Sequence, residues 1–528
     1  MSSTDERHGP PFGAYGAADV LATSAEDGEP RRRAPWALVA AGGALVLGLV
    51  AGVGWAVGSL SGGGAQPEDA LPAGAIAFVK VDLDPSAGQK IDGFRFLRQF
   101  PSLRDHIPLD GDVRQVLFEA VAEDAGWGDV DYSSDVEPWL GDRLAVAGYP
   151  AGADRTTAPA LVALQVTDAD AAESGLLRLV DASAGGVGGT RDIGFVVAGD
   201  YALIAESQEL ARRYADKAEQ GSLAADPRFA EDLGSVEDGV AAVWVDNAAV
   251  AEEAGVLDPM GFGLGGLATG RDGLGTSAGR TTMVARFAGP DVFEVVGSVG
   301  GAEAASWATH PLTGLDVLPA STVAAVGIAD GDELAPLLVE SARRSAEDTA
   351  ALDDGIAALE EESGIALPED LAVLLGDNLV GAIDAGESGA IGSVEGGVKV
   401  RTDASRAQRL LGPLLSGDLG GPADVVLRTD GDSYVLATSG RQAARLVAPG
   451  DLGDQPGFAA ALPDLADADA AAWVDPSALV QTLFSGWSAS TDEPGDGDDD
   501  LEQVTGVGAT LTSGDDGTAV FRFRIVTE

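Results

Sequence analysis

Three stretches of this chain have residue types at a spacing that could do chemistry. Gly275-Thr276-Ser277-Ala278-Gly279 has the G-x-S-x-G spacing of a nucleophile elbow. An elbow needs a strand before it and a helix after it, so that the serine hydroxyl meets a histidine oriented by a carboxylate. Here a glycine-rich run precedes the motif, strand-like residues begin at Thr281, and His310 is the one histidine that follows. Gly261-Phe262-Gly263-Leu264-Gly265-Gly266 satisfies G-x-G-x-x-G, but it lacks the entering strand and leaving helix that would cradle a pyrophosphate. With 73 glycines in the chain, accidental matches to both motifs are expected. Asp496-Gly497-Asp498-Asp499-Asp500-Leu501-Glu502 concentrates carboxylates. A calcium loop needs glycine at its sixth position and glutamate at its twelfth, and Leu501 and Val507 stand there. A solvated acidic loop is the expectation. Cysteine is absent, and the histidines are His8, His106 and His310, which removes thiolate sites and most imidazole chemistry. The expectation is a protein that is not an enzyme, with no catalytic, metal-binding or cofactor-binding residues and no cofactor.

Binding residues are better represented. Lys90, Arg95, Arg98 and Arg104 form a basic island in an otherwise acidic region. Phe94, Leu97 and Phe100 recur at helical spacing beside them, which predicts an amphipathic helix that could meet lipid headgroups or a partner. Met260, Phe262, Leu264 and Leu267 stud a long glycine-rich segment, 255–280. It occupies the same place in the first half of the chain as the acidic segment 485–502 does in the second. Long connections at matched places are where binding resides, and these four are the candidate binding loop.

The elements that position these residues begin with Arg31-Arg32-Arg33 and the uncharged run from Ala34 to Pro67. Its apolar centre has the length of a bilayer-crossing helix, and arginines on its N-terminal side predict a cytoplasmic N-terminus. The long preceding tail and long apolar run favour an uncleaved anchor over a cleaved signal, although Gly63-Gly64-Ala65 loosely fits a cleavage site. The predicted location is the cell membrane, single-pass, with the C-terminal part extracytoplasmic. The formal charge of −53 argues against nucleic acid as a partner, since phosphate contacts need clustered cations.

Beyond the anchor the chain reads as a duplication. Leu71-Pro72-Ala73 is echoed by Leu318-Pro319-Ala320, Leu140-Gly141-Asp142 by Leu375-Gly376-Asp377, and Tyr201 by Tyr434. Ala242-Val243-Trp244-Val245-Asp246 is echoed by Ala472-Trp473-Val474-Asp475, with Phe229 and Phe458 upstream. The order is the same in both halves, a long-period repeat. Each tryptophan is expected to be a buried strand residue and each following aspartate a helix cap. Asp168, Ser207, Asp403 and Ser439 look like further caps, and Asp84-Pro85 like a helix start. Gly199-Asp200 and Gly431-Asp432 predict hairpins. The predicted fold class is α+β: an N-terminal single transmembrane helix followed by two homologous, duplicated domains of mostly antiparallel sheet covered by helices. The boundaries are a disordered tail (1–33), the membrane helix (34–60), a linker (61–70), repeat 1 (71–301), a linker (302–317) and repeat 2 (318–528).

The run LPAGAIAFVKVDLDPSAGQKIDGFRFLRQFPSLRD, following a glycine-rich apolar segment, resembles the family of domain of unknown function 3352. The resemblance spans about residues 36–528 and is most specific at 82–103. It implies a single-pass membrane protein of high-GC Gram-positive (actinobacterial) bacteria, an envelope location and repeated α/β structure. It supplies no activity and no site residues. The functional expectation is non-catalytic binding or cell-envelope organisation. The expected partners are membrane lipid through the anchor and an envelope protein or lipid ligand. The alternatives are a carrier of a lipid or other apolar ligand held between helices and sheet, and, disfavoured, a hydrolase.

Overall fold

The structure is a computed structural model. It describes residues 65–101, 112–151 in part, 158–185, 193–234, 239–252, 279–300, 308–346, 349–385, 395–415, 425–484, 500–514 and 517–528. The predicted membrane helix, 34–60, lies outside the described residues. Among those that are described, no helix is long and apolar enough to cross a membrane.

The first half carries strands β1 (Ala77–Asp82), β2 (Leu140–Gly148), β3 (Ala160–Val166), β4 (Gly194–Ala198), β5 (Tyr201–Ala205), β6 (Ala241–Asp246), β7 (Arg280–Gly289) and β8 (Val292–Gly300). The second carries β9 (Thr322–Ala329), β10 (Asn378–Asp384), β11 (Glu395–Arg401), β12 (Val426–Asp430), β13 (Ser433–Ala437), β14 (Ala470–Val474), β15 (Val504–Ser513) and β16 (Ala519–Thr527). The helices that matter below are α1 (Pro67–Ala70), α2 (Ala87–Leu97), α3 (Ala169–Gly185), α4 (Gln208–Gln220), α5 (Pro227–Gly234), α6 (Asn247–Glu252), α7 (Gly331–Ser345), α8 (Thr349–Ser363), α9 (Glu369–Leu375), α10 (Ala404–Leu415), α11 (Gly440–Val447), α12 (Pro456–Ala461) and α13 (Pro476–Phe484).

The expected pair of separate domains is corrected by the strand order. A single 16-stranded sheet runs β4-β5-β3-β2-β1-β6-β7-β8 and continues β16-β15-β14-β9-β10-β11-β13-β12, every neighbouring pair antiparallel. The two halves have the same internal order, so the duplication is real, but they share one sheet. Separate domains would each leave the final strand as an open edge, with a row of unmet N–H and C=O groups. Here β8 and β16 close each other's edge.

The junction has the register of a twofold axis. Trp244 lies opposite Thr282, which lies opposite Ser298. Trp473 lies opposite Gly508, which lies opposite Arg524. Ser298 and Arg524 are therefore equivalent and, two residues earlier on each strand, so are Val296 and Arg522. Val296 and Arg522 are paired directly. Two equivalent strands pairing antiparallel about one shared position is the geometry of an isologous dimer, built within one chain.

Helices cover both faces. On the face carrying the tryptophans, α1, α4 and α5 cover the first half, and α11 and α12 the second. Trp244 packs edge-on against Phe229 with centroids 5.5 Å apart, and Trp473 against Phe458 at 5.4 Å. On the far face, α2 and α3 cover the first half and α10 the outer strands of the second. Leu312 and Leu315, in the stretch expected as a linker, are buried in the core of the second half.

Local chemistry accounts for most helix starts. Side chains of Asp168, Ser207, Asp246, Asp403, Ser439 and Asp475 each accept the amide of the residue three positions on. Each such cap contributes about 1 kcal/mol. Asp84 does not cap: α2 begins two residues beyond Pro85, and Asp84 pairs with Lys90 instead. The echo of Tyr201 by Tyr434 is also out of step by one residue. In the two Gly-Asp hairpins the partner of Ala198 is Tyr201, while the partner of Asp430 is Ser433. Ser433, not Tyr434, is thus the equivalent of Tyr201. A one-residue slip turns a strand side chain to the other face, so the two tyrosines sit in different cores.

Candidate functional site

The one described histidine of the hydrolase reading is engaged structurally. Asp330 opens α7 with φ of 44°, and its carboxylate accepts the backbone N–H groups of Thr309 and His310 and the Thr309 hydroxyl. Burial pushes its pKa up, but these bonds from Thr309 and His310 outweigh burial and hold it below the usual value. The His310 Nδ1 lies 3.1 Å from Asp330 Oδ1 and 3.0 Å from Thr309 Oγ1. Asp330 and Thr309 both meet this nitrogen, which ties the segment before β9 to the start of α7. Ser277 and the G-x-G-x-x-G stretch lie outside the described residues, as do His106 and Asp496 to Asp499. Among the described residues no group of three or more His, Cys, Asp or Glu side chains is placed to hold a metal ion.

The basic island divides. Lys90 is buried and ion-paired with Asp84, so its expected role as an outward contact is corrected: the charge is consumed inside the fold. Gly93 decides which side of α2 faces inward. A Cβ there would meet the Phe287 ring at 2.7 Å, so only glycine lets the helix approach β7 this closely. Phe96 then packs on Phe287 and Phe293, with centroids 5.6 and 6.2 Å away, and Leu97 is buried beside it. Phe94, expected on the same stripe as Leu97, is turned outward by this choice. It joins Ile91, Arg95 and Arg98 around a concavity of about 380 Å³. The Arg98 guanidinium stands 5.3 Å from the Phe94 ring centroid. Arg104, Met260, Phe262, Leu264 and Leu267 lie outside the described residues.

A second surface carries no sequence motif. Val79 and Val326 are equivalent, each one residue beyond the position opposite a core tryptophan. Val79 is 8% exposed and Val326 is 42% exposed. From Val326 the register runs to Ala472, Ala509 and Phe523 on successive strands, all on the far face. Ala472 is exposed, and Ile328, Ala509 and Phe523 are half-buried. In the first half the helix after the opening strand, α2, lies on β7 and β8 and covers this face. In the second half the corresponding helix, α7, packs on α9 instead, with Leu338 left 39% exposed. Strand alternation shows that these residues share a face, but it cannot show whether a helix lands there.

With this geometry in hand, comparison with known proteins adds one finding. A family model described as Protein of unknown function (DUF3352) matches residues 38–377, which takes in the whole first half of the sheet, β9 and α7 to α9. No curated protein and no solved structure gives a match.

Proposed function

The chain belongs to the DUF3352 family of proteins of unknown function, and from that premise we propose that it is a non-catalytic binding protein of the cell envelope. The tandem sheet is the scaffold and the open apolar strip of its second half is the contact surface. The observation that carries this reading is the contrast at matched positions, Val326 exposed where Val79 is covered. The first half also indicates the occupant. The equivalent strip is filled by an 11-residue helix, α2, so the open strip suits an amphipathic helix of about three turns supplied by a partner protein. Residence at the cell membrane is part of the same proposal. It rests on Arg31 to Arg33 and the uncharged run that follows, and protease shaving of intact cells tests it: a chain that survives while a known surface protein is cut overturns the location.

The contact surface is tested by placing a photo-crosslinking amino acid at Ala472 and, as a control, at Asp432 in an exposed turn. The expected result is a discrete adduct at Ala472, mapped to a helical segment of an envelope protein, and lost when Val326→Asp is added. Equal labelling at both positions in a folded protein would sink the reading.

The carrier alternative is less favoured. In the first half the space between helices and sheet on the tryptophan face is occupied by Phe78, Phe229 and Trp244, packed edge-on at centroid spacings of 5.0 and 5.5 Å.

A further inference from the structure

We propose that the outer face of α2 binds a single-chain anionic amphiphile from solution, its carboxylate or phosphate held by Arg95 and Arg98 and its apolar chain lying along Ile91 and Phe94. The site is distinct from the open strip of the second half and does not depend on it.

Charge complementarity identifies the ligand. The chain has 85 acidic against 32 basic residues, so cations find carboxylates readily. Arg143 pairs with Asp82, Arg280 with Asp232, Arg406 with Asp370 and Arg441 with Glu395. Arg95 and Arg98 are both exposed, and among the described residues neither has an ion-pair partner. Residues 91, 94, 95 and 98 are spaced i, i+3, i+4 and i+7, so they stand on one stripe of the helix. Two guanidinium groups one turn apart can meet an anionic head with paired N–H donors, a geometry that suits carboxylate or phosphate. Arg98 over the Phe94 ring keeps its charge close to the apolar floor. Ile91, 45% exposed, extends that floor by one turn. The shallow depression that these four side chains line has a volume of about 380 Å³.

The same head chemistry occurs in a bilayer, and the charge of the chain favours the free molecule. The net charge of −53 opposes approach to an anionic membrane. A single anion within about one Debye length of the two arginines, roughly 8 Å, is screened from most of that field.

The test uses the full chain in detergent-free buffer or, if residues 34–60 require lipid, in nanodiscs of neutral phosphatidylcholine. Dodecanoate and dodecyl phosphate are titrated below their micelle concentrations by calorimetry, with dodecyltrimethylammonium and dodecanol as cationic and neutral controls. One-to-one binding of the anions is expected, at least tenfold tighter than of either control. It should weaken at least tenfold in Arg95→Gln/Arg98→Gln and in Phe94→Ser. Circular dichroism checks the fold of each variant. Equal binding of the cationic amphiphile, unchanged binding by the arginine variant, absence of binding, or binding only to phosphatidylglycerol vesicles would each overturn the proposal. Photo-crosslinking at Ala472 should be the same in the arginine variant, so the two surfaces succeed or fail separately.

Discussion

The two halves of the sheet have one topology and two surfaces. Strand for strand they match, down to a tryptophan edge-on to a phenylalanine in each. They differ where a homodimer could not. At the junction Glu294 is fully buried and accepts hydrogen bonds from Arg286 at 2.5 Å, Arg524 at 2.7 Å and Arg522. Across the axis the equivalent pair is Val520 opposite Ser298. An isologous interface between identical chains must carry every contact twice. Covalent tandem linkage lifts that constraint, so one side of the axis is ionic and the other is not. It also allows one far face to be sealed by α2 and the other left open.

The contrast can be broken most severely at the matched valines. Val79→Asp buries a charge without a partner and should cost more than about 4 kcal/mol. Val326→Asp, on the open strip, should stay within about 0.5 kcal/mol. Urea titration of both variants decides the matter: similar losses would mean that the strip is covered.

Next is the junction. Glu294→Ala strands three arginines and should destabilise by about 3–5 kcal/mol, whereas Ser298→Ala should cost little. The pH dependence has a definite sign. Burial raises the Glu294 pKa, but the bonds from Arg524, Arg522 and Arg286 prevail and hold it below the ordinary 4.5. A depressed carboxylate stabilises the fold above its unfolded value, and that stability is lost as pH falls through the folded one. Unfolding followed between neutral pH and acid should therefore show a loss below 4.5 that Glu294→Gln lessens. An unchanged acid limb would remove Glu294 from the account.

Gly93→Ala sets a methyl group against the Phe287 ring and should cost about 1–3 kcal/mol while loosening α2. Hydrogen exchange should rise in α2 and on β7 beneath it, making the first half more like the second. No change in either measurement would show that Phe287 gives way easily.

The smallest difference lies in the tryptophans. Trp244 Nε1 donates to Asp232 at 2.8 Å, while Trp473 Nε1 is buried without a hydrogen-bond partner among the described residues. Phenylalanine in place of Trp244 loses a charge-assisted bond; in place of Trp473 it removes an unmet donor. Thermal melts should place the Trp244→Phe variant lower by the equivalent of about 1 kcal/mol.

Much of this was legible in the sequence because it is local or repeated. Six helix caps follow from a short polar side chain placed before a helix. The Gly-Asp hairpins follow from glycines that accept φ of 60° and 62° at Gly199 and Gly431. The duplication follows from motifs recurring in the same order. What misled was also local. The echo of Tyr201 by Tyr434 does not carry the register, which the turn sets, and the helical spacing of Phe94, Leu97 and Phe100 does not show that Gly93 lets the stripe of Phe96 and Leu97 approach β7 instead.

By itself, then, the sequence determined the repeat, the antiparallel units, the acidic composition, the absence of cysteine and the scarcity of histidine. The tertiary structure decided that the two units share one sheet, because the partner of an edge strand is not written in that strand's own periodicity. It decided that Lys90 is paired internally while Arg95 and Arg98 have no ion-pair partner among the described residues, because ion pairing depends on which carboxylates the fold brings near. It also decided that the same far face is sealed in one half and open in the other. Alternation fixes which way a side chain points; whether a helix comes to rest on it is settled by long-range packing.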